Sequence, residues 1–459
     1  MSIWEKKSLN QMLHAAEESD LKKNLTAVDL AALGIGSVVG TGIFVSTGMG
    51  AHLAGPAVLI SFIVAAITSA LCALTYAELA TMFPVAGSTY SYSYVAFGEV
   101  IAWIIGWDLM LEYLVSASAV ASGWSGTFVG LLSSAGVTLP LAITQAPMAG
   151  GIMDLPAILI TLFVTWILYV GIKESAKLNN IIVLVKIAVI VLFLILGVFH
   201  IHVVNFKPFA PFGWKGIMAG ASIIFFAYIG FDAVSTAAEE TIDPKRDVPM
   251  GLAITLGVVI VLYIAVSIVL TGMLPFNEIS INNAVPGALA KVGINWGAAL
   301  VGTGAVIGMI STLLVTLYGQ IRIFMVMSRD GLLPKAFSAV HPIHKTPHIC
   351  TIITGVLTAI MAGFLPLNVI IELCNIGTLF AFVLVSLGII VLRRTMPNVE
   401  RKFRCPWVPL VPILTIVSCV YLMSALPVIT WIRFAMWLLI GLAIYLLYGK
   451  NHSVLQHGE

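Results

Sequence analysis

Glycine residues interrupt the first apolar stretch of this chain in its middle. They are Gly34, Gly36, Gly40 and Gly42. A second interruption, at residues 225–232, combines aromatic residues with Gly230 and Asp232. Backbone N–H and C=O groups that face lipid without a partner are costly, so such segments occur at membrane depth only where they line a cavity or are buried in protein. Paired interruptions in two halves of a chain therefore predict a substrate-binding site.

An interrupted helix presents main-chain partial charges of both signs to the gap. The N–H groups after the gap attract a carboxylate, and the carbonyl groups before it attract an ammonium group. We expect the N–H groups of Thr41 and Gly42, with the Thr41 hydroxyl, to bind an α-carboxylate. We expect the carbonyl groups of Val38, Phe226 and Ile229 to bind an α-ammonium. The predicted substrate-binding residues are Val38, Gly40, Thr41, Gly42, Ile43, Phe226, Ala227 and Ile229. The alternative is that these glycines only let helices cross closely.

Two aromatic residues of the second interruption, Phe226 and Phe231, are candidates for a gate. An aromatic ring there can close over a bound ligand, although aromatic residues in membrane spans more often pack against lipid or core. An acidic side chain within a span is costly and predicts a function. We expect Asp232 to respond to protons or to take part in gating, and the alternative is that it caps the unwound segment.

Lys186 is flanked by apolar residues on both sides. It either reaches the membrane surface with its long side chain or stays inside, where it needs carbonyl or hydroxyl partners. In the second case we expect its amine to bind the carbonyls of residues 36–39, with Ser311 as a further partner. Glu112, deep in the third span, can meet a cationic side chain, pair with Lys186 or share a proton. Lys186, Asp232 and Glu112 are the predicted proton-coupling residues.

Residues of two later spans complete the predicted site as a side-chain pocket, with plain packing as the alternative for each. They are Met309, Ile310, Thr312 and Asn375. The five cysteines show no metal-ligand spacing, and the sequence lacks the HExxH and GxSxG motifs of hydrolytic enzymes. We therefore expect a protein that is not an enzyme and that uses neither a cofactor nor a metal ion.

The composition is that of a polytopic membrane protein. Of the 459 residues, 60% are hydrophobic and 10% are charged, and the mean hydropathy is +1.05. Apolar runs of at least about 17 residues are long enough to cross a bilayer, and they predict an all-α membrane protein with about twelve transmembrane helices. The predicted spans are residues 27–54, 57–83, 97–131, 156–172, 179–202, 216–238, 250–273, 296–326, 348–364, 368–392, 408–425 and 429–448.

Five predicted spans precede the polar stretch at residues 203–215, and five follow it before two trailing spans. An odd number of spans per half places the two halves in opposite orientations across the bilayer, as inverted repeats. Most Lys and Arg residues lie in alternate loops or at the termini, and the opposite loops hold only Lys207, Lys215 and Lys291, which predicts cytoplasmic termini. The predicted organisation is a cytoplasmic segment at 1–26, a first repeat at 27–203, a second inverted repeat at 204–393, helices 11 and 12 at 394–448, and a cytoplasmic tail at 449–459.

Several motifs resemble those of the amino acid-polyamine-organocation permeases, and within them the cationic amino acid transporter branch. They are GSVVGTGIF at 36–44, YAELATMFPVAGSTYSYSYVAFGE at 76–99, FFAYIGFDAVSTAAEETIDPKRDVPMG at 225–251, MSRDGLLP at 327–334, TPH at 346–348 and RKFRCPWVP at 401–409. The resemblance implies a leucine-transporter-like fold, a 5+5 inverted repeat with discontinuous helices 1 and 6. It maps the family's ammonium, carboxylate, occluding-aromatic and acidic positions onto the residues named above. It also implies that Lys186 takes the place of a sodium ion, as a helix 5 lysine does in proton-coupled relatives.

The sequence and the resemblance together predict a proton-coupled symporter of the plasma or inner membrane. It would import neutral and/or cationic L-amino acids by alternating access. Helices 6, 8 and 10 hold no cluster of acids that demands a basic substrate, so the branch name does not decide the cargo. An obligate exchanger of the same fold and an amino acid sensor with little flux remain alternatives. The expected partners are an amino acid, protons and membrane lipids, not nucleic acid, and a small membrane-protein partner stays open.

Overall fold

The computed structural model describes residues 4–7, 25–83, 88–171, 176–344 and 346–457. Within these ranges the chain is helical and forms no β-strand, only isolated bridges between Leu25 and Thr241 and between Thr144 and Asp154. The main helices are α1 (Ala27–Val38), α2 (Thr47–Ala54), α3 (Val58–Met82), α4 (Ser88–Phe97), α5 (Glu99–Ser134), α6 (Leu155–Val170), α7 (Ala176–Val198), α8 (Gly213–Ile224), α9 (Ala233–Thr236), α10 (Pro244–Met273), α11 (Ala284–Lys291), α12 (Asn295–Arg329), α13 (His348–Phe364), α14 (Leu367–Thr395), α15 (Leu410–Ser424) and α16 (Val428–Ile444).

Eight helical segments of the described chain are long and apolar enough to cross a membrane, so the protein is a multi-pass membrane protein. They are Gly42–Met82, Glu99–Ser134, Leu178–Val198, Gly213–Thr236, Pro244–Met273, Asn295–Arg329, Leu367–Thr395 and Val428–His452. Four apolar helices are shorter, namely Ala27–Val38, Leu155–Val170, His348–Phe364 and Leu410–Ser424. The first of these is short because the chain unwinds at Val39, which has extended backbone angles.

Local sequence signals account for several helix ends. A capping box starts α1, since the Thr26 side chain accepts from the Asp29 N–H while Asp29 accepts from the Thr26 N–H. Asp154 caps α6 by accepting from the Ala157 N–H. Gly55 has φ of 66°, a conformation that favours glycine, and it separates α2 from α3.

Helix α5 lies at the centre of the packing, between α12 and α14, while α10 packs along α1 and α3. Small residues allow these close approaches. A Cβ added to Gly123 of α5 would overlap the side chain of Thr41, and one added to Gly126 would lie 2.7 Å from the carbonyl oxygen of Asn282. Such contacts bring the segment after α1 and the loop before α11 directly against α5.

The two ends of the described chain meet on one face of the protein. Lys7 forms an ion pair with Asp330 over 2.6 Å, and the Val454 N–H donates to the Asp330 carbonyl oxygen over 3.1 Å. The Glu99 N–H at the start of α5 donates to the Glu5 carbonyl oxygen. Residues 8–24 of the predicted N-terminal segment lie outside the described residues. Both ends therefore lie at the Glu99 end of α5, opposite the Ser134 end.

Candidate functional site

The first predicted interruption is present between α1 and α2. Helix α1 ends at Val38, and Val39 adopts φ of −77° and ψ of 96°. The chain then resumes as a π-helical turn at Gly42–Ser46 before α2 begins. Short π-helical segments are rare and frequently occur at functional sites. The end of α1 and the start of this turn therefore expose helix-terminal carbonyl and N–H groups to the space between them.

The second predicted interruption is also present, between α8 and α9. Helix α8 ends at Ile224 and tightens into a 3₁₀ segment at Phe225–Tyr228. Ile229 is extended, with φ of −64° and ψ of 142°, and Gly230 has φ of 107°. A side chain at Gly230 would be strained at this positive φ, so the glycine is needed for the turn itself.

The two interruptions are in direct contact. A Cβ placed on Gly42 would overlap the main-chain Cα of Ala227. A Cβ placed on Gly230 would lie 2.8 Å from the Ser37 Oγ atom. Each glycine therefore lets the unwound main chain of one helix approach that of the other, as a shared binding site requires.

A small cavity of about 20 Å³, which we call the central site, lies between the interruptions. Seven of its lining residues were predicted site residues, namely Val38, Gly40, Thr41, Gly42, Phe226, Ile229 and Thr312. Ser37, Ser116 and Val120 also line it and were not predicted. The volume holds about one water molecule. A larger ligand therefore requires the two interruptions to move apart.

The remaining predicted residues are buried or half-buried and are not among those that line this cavity. Ala227 forms the contact with Gly42, Ile43 follows Gly42 in the chain, and Met309 accepts a hydrogen bond from the Thr41 hydroxyl over 3.5 Å. The Phe231 ring packs against Tyr76 and Phe382.

Two members of the predicted side-chain pocket are also set apart from the cavity. Ile310 is half-buried and packs against the core. The Asn375 amide donates to the carbonyl oxygens of Ser222 and Ile223 at the end of α8, over 2.6 and 3.3 Å. Asn375 therefore connects α14 to the end of α8, next to the second interruption.

Tyr263 of α10 contacts the first interruption and was not predicted. Its hydroxyl donates to the Val38 carbonyl oxygen over 3.0 Å. The Ile229 N–H donates to the Phe226 carbonyl oxygen over 3.3 Å. A carbonyl oxygen has two lone pairs, so each of these acceptors keeps one site for a ligand. The signal for Tyr263 was a phenol group in an otherwise apolar span, but sequence alone does not tell which helix it meets.

Lys186 of α7 points into the protein rather than toward the membrane surface, and its side chain is 0% exposed. The amine nitrogen donates to the Gly36 carbonyl oxygen over 2.5 Å and to the Thr312 Oγ1 atom over 2.8 Å. Gly308 of α12 leaves room for the lysine stem, because a Cβ there would lie 2.8 Å from the Lys186 Cγ atom. Of the two predicted placements, the structure has the buried one, with a residue 36 carbonyl as a partner.

The two predicted acidic residues lie on the other interrupted helix and on α5. Asp232 is 5% exposed and precedes α9, where its carbonyl oxygen accepts from the Ser235 N–H and hydroxyl. Glu112 of α5 is also 5% exposed. Acidic side chains buried within a span are costly and mark candidate functional positions.

Comparisons with known proteins agree with a transport role. A family model described as amino acid permease matches residues 25–447. The branched-chain amino acid permease BcaP of Bacillus subtilis strain 168 is 47% identical over 460 residues, covering 99% of each chain. The methylthioribose transporter of the same organism is 47% identical over 457 residues, covering 99% of each chain. The vacuolar cationic amino acid transporter 4 of Arabidopsis thaliana is 31% identical over 561 residues, covering 95% of this chain and 93% of the relative. All three relatives are named as permeases or transporters rather than as enzymes.

Proposed function

We propose that this chain, which belongs to the amino acid permease family within the amino acid-polyamine-organocation superfamily, is a proton-coupled importer of L-amino acids that works by alternating access. The observation that carries the proposal is the contact of two interrupted helices around one cavity. A binding site between two such helices is typical of secondary transporters.

The two ends of an amino acid match the two signs of partial charge at the interruptions. Thr41 and Gly42 stand at the start of a helical segment, where N–H groups attract a carboxylate. The carbonyl oxygens of Val38, Phe226 and Ile229 stand at the ends of helical segments and attract an ammonium group. Phe226 lines the cavity, which supports the proposal that its ring covers a bound ligand.

Neutral aliphatic amino acids are the substrates that the cavity favours. In the part of the chain that the structure describes, no acidic side chain lines it to pair with a second positive charge. Val38, Val120 and Ile229 give it an apolar wall. One relative of high identity is named as a branched-chain amino acid permease, which is consistent with this class. Cationic amino acids are the second candidate, because another relative is named as a cationic amino acid transporter.

Lys186 is the proposed coupling group. Its amine joins α7 to the end of α1 through Gly36 and to α12 through Thr312. A protonated amine makes stronger, charge-assisted hydrogen bonds than a neutral one. Loss of the proton would therefore weaken this connection and free the first half-helix to move. Glu112 and Asp232 are the proposed acids that respond to protons at the second interruption.

The proposal includes a membrane arrangement. Twelve transmembrane helices would comprise two inverted five-helix repeats, residues 27–203 and 204–393, followed by helices 11 and 12, in a leucine-transporter-like fold. Residues 4–7 and Val454 lie on the same face of the protein, which supports termini on one side of the membrane. The distribution of basic residues favours the cytoplasmic side. The proposed location is the plasma or inner membrane.

Uptake by purified protein in liposomes tests the proposal. Labelled L-leucine and L-arginine are supplied outside, with a proton gradient, a sodium gradient or no gradient. We expect accumulation of L-leucine driven by the proton gradient and abolished by a protonophore. Accumulation that needs sodium, or no uptake of either amino acid, would reject the proposal.

Efflux from preloaded liposomes separates import with protons from obligate exchange. A symporter releases labelled L-leucine into a medium without amino acid, whereas an exchanger stalls until external amino acid is added. Tight binding of L-leucine without flux in either direction would instead indicate a sensor.

A further inference from the structure

A second cavity, of about 60 Å³, opens on the face opposite the chain ends. It lies between α5, α13, the start of α6 and two loops, and it is lined mainly by Ser122, Gln145, Asp154, Asn282 and Ala362. One water molecule needs about 15 Å³, so the space holds about four of them, or one small polar group with its hydration. It is larger than the cavity between the interrupted helices and shares no lining residue with it.

Asp154 gives this outer cavity its charge. The side chain is 7% exposed, and its Oδ1 atom accepts from the Ser125 hydroxyl over 2.5 Å and from the Ala157 N–H over 3.1 Å. Both bonds use Oδ1, so Oδ2 is available to a group in the cavity. Among the described residues, Asp154 is the one titratable residue that lines it. The neighbouring side chains of Thr144, Gln145 and Asn282 add neutral oxygen acceptors.

A single turn of α5 separates the outer cavity from the central site. Ser122 lines the outer cavity, while the next residue, Gly123, packs against the Thr41 side chain. Val120, less than one turn earlier, lines the central site. A group held at Asp154 is therefore next to the wall of the central site, on the side away from the chain ends.

We propose that the outer cavity is a reception site for the ammonium group of an incoming amino acid, held by the Asp154 carboxylate before the substrate enters the central site. The inference rests on the proposed amino acid transport. Its chemistry is that of a carboxylate with neutral oxygens around a partly desolvated space, which selects ammonium groups over carboxylates and uncharged ligands. The site raises the local concentration of substrate and takes no part in the movement of the helices.

The test compares D154N with E278Q in liposome uptake of labelled L-leucine and L-arginine. Asn at an N-cap position is as favourable as Asp and keeps an Oδ1 acceptor for Ser125 and Ala157, so the fold is retained. Glu278 is an exposed residue of the loop before α11, outside the lining of the outer cavity, and E278Q removes the same charge. We expect D154N to raise the KM about threefold to tenfold with an unchanged maximal rate, and E278Q to leave both unchanged.

Acidification gives an independent readout. Burial raises the pKa of Asp154 to about 6. About one pH unit below that value the wild-type side chain is mostly protonated and resembles asparagine, so the ratio of the D154N KM to the wild-type KM should approach one. A residue that only stabilised the helix start would not produce a KM effect that disappears on acidification.

The outcomes separate this inference from the proposed function. Equal KM values for wild type, D154N and E278Q, in a wild type that transports, would overturn the reception site alone. A KM change in D154N that disappears when sodium is replaced by choline would assign the cavity to an inorganic cation and also overturn it. Failure of the wild type to transport L-leucine or L-arginine would instead reject the proposed function.

Discussion

The amine nitrogen of Lys186 lies 2.5 Å from the carbonyl oxygen of Gly36, two residues before the end of helix α1. The Thr312 hydroxyl contacts both groups, over 2.8 Å to the amine and 3.2 Å to the carbonyl. Three helices thus meet at one lysine beside the interruption. A change in the charge of this amine acts directly on the end of the first half-helix.

Replacement of Lys186 by alanine should reduce proton-driven uptake of L-leucine by about tenfold or more, because the charge-assisted bond that responds to the proton is lost. The Thr312 hydroxyl can still donate to Gly36, so the protein should fold. The measurement is initial uptake in liposomes, with monodispersity and the thermal unfolding midpoint as folding checks. K207A, which removes an exposed loop lysine, is the matched control. Wild-type uptake by K186A would mean that the lysine is structural.

Replacement of Gly42 by alanine should separate the two interruptions. The added methyl group meets the main chain of Ala227, which cannot rotate away, so we expect a loss of about 1–3 kcal/mol in stability. Stabilisation of the protein by L-leucine in a thermal-shift assay should disappear as well. The matched control is G257A, since a Cβ at Gly257 meets nothing within 4 Å. That helical substitution should raise stability by about 0.5–1 kcal/mol. An unchanged response of G42A to L-leucine would contradict the shared site.

Replacement of Tyr263 by phenylalanine removes the hydroxyl that holds the Val38 carbonyl. The ring contacts with Phe62 and Tyr228 remain, so packing is preserved. We expect the Kd for L-leucine to rise about twofold to tenfold, since one neutral hydrogen bond that positions an ammonium acceptor is lost. Isothermal titration measures it, with Y421F, at an exposed tyrosine of α15, as control. Tighter binding by Y263F would indicate that the hydroxyl competes with the substrate for this oxygen.

Stability should depend on pH through Asp154, whose pKa burial raises to about 6 from a usual value of 3.8. The folded protein holds this proton more tightly than the unfolded chain. The contribution is therefore fully present below about pH 4 and is lost as the pH rises through about 6, with a size of about 3 kcal/mol at most. Thermal unfolding of wild type and D154N in detergent across this range measures it. The difference between their midpoints should vary with pH, and a constant difference would contradict the buried carboxyl.

Both interruptions were predictable from the sequence because glycine and extended backbone are local properties. The runs around Gly40 and Gly230 carry their signal within a few residues, and the structure has a break at each. The long apolar helices were predictable for the same reason, with residues 97–131 observed as Glu99–Ser134. Hydrophobic periods and glycine positions do not depend on distant parts of the chain.

The partners of the site were less predictable because they depend on tertiary packing. Thr312 was placed in a side-chain pocket, yet it is also the hydroxyl partner of Lys186. Tyr263 was not predicted, since nothing local marks which carbonyl its hydroxyl meets. Asn375 is a candidate for the side-chain pocket with packing as the alternative, and its amide donates to main-chain oxygens at the end of α8, which the sequence does not indicate. A polar residue in a span predicts a partner without identifying it.

The π-helical turn at Gly42–Ser46 sets how far α2 is rotated about the helix axis relative to the glycine-rich segment before it. A π turn holds one residue more than an α turn, and each residue of an α-helix rotates the chain by about 100°. Deleting one residue here would leave an ordinary helix but swing Gly42 away from Ala227. The orientation of the site thus depends on a single surplus residue, so removing one residue from this segment should disturb the site even when every remaining side chain is unchanged.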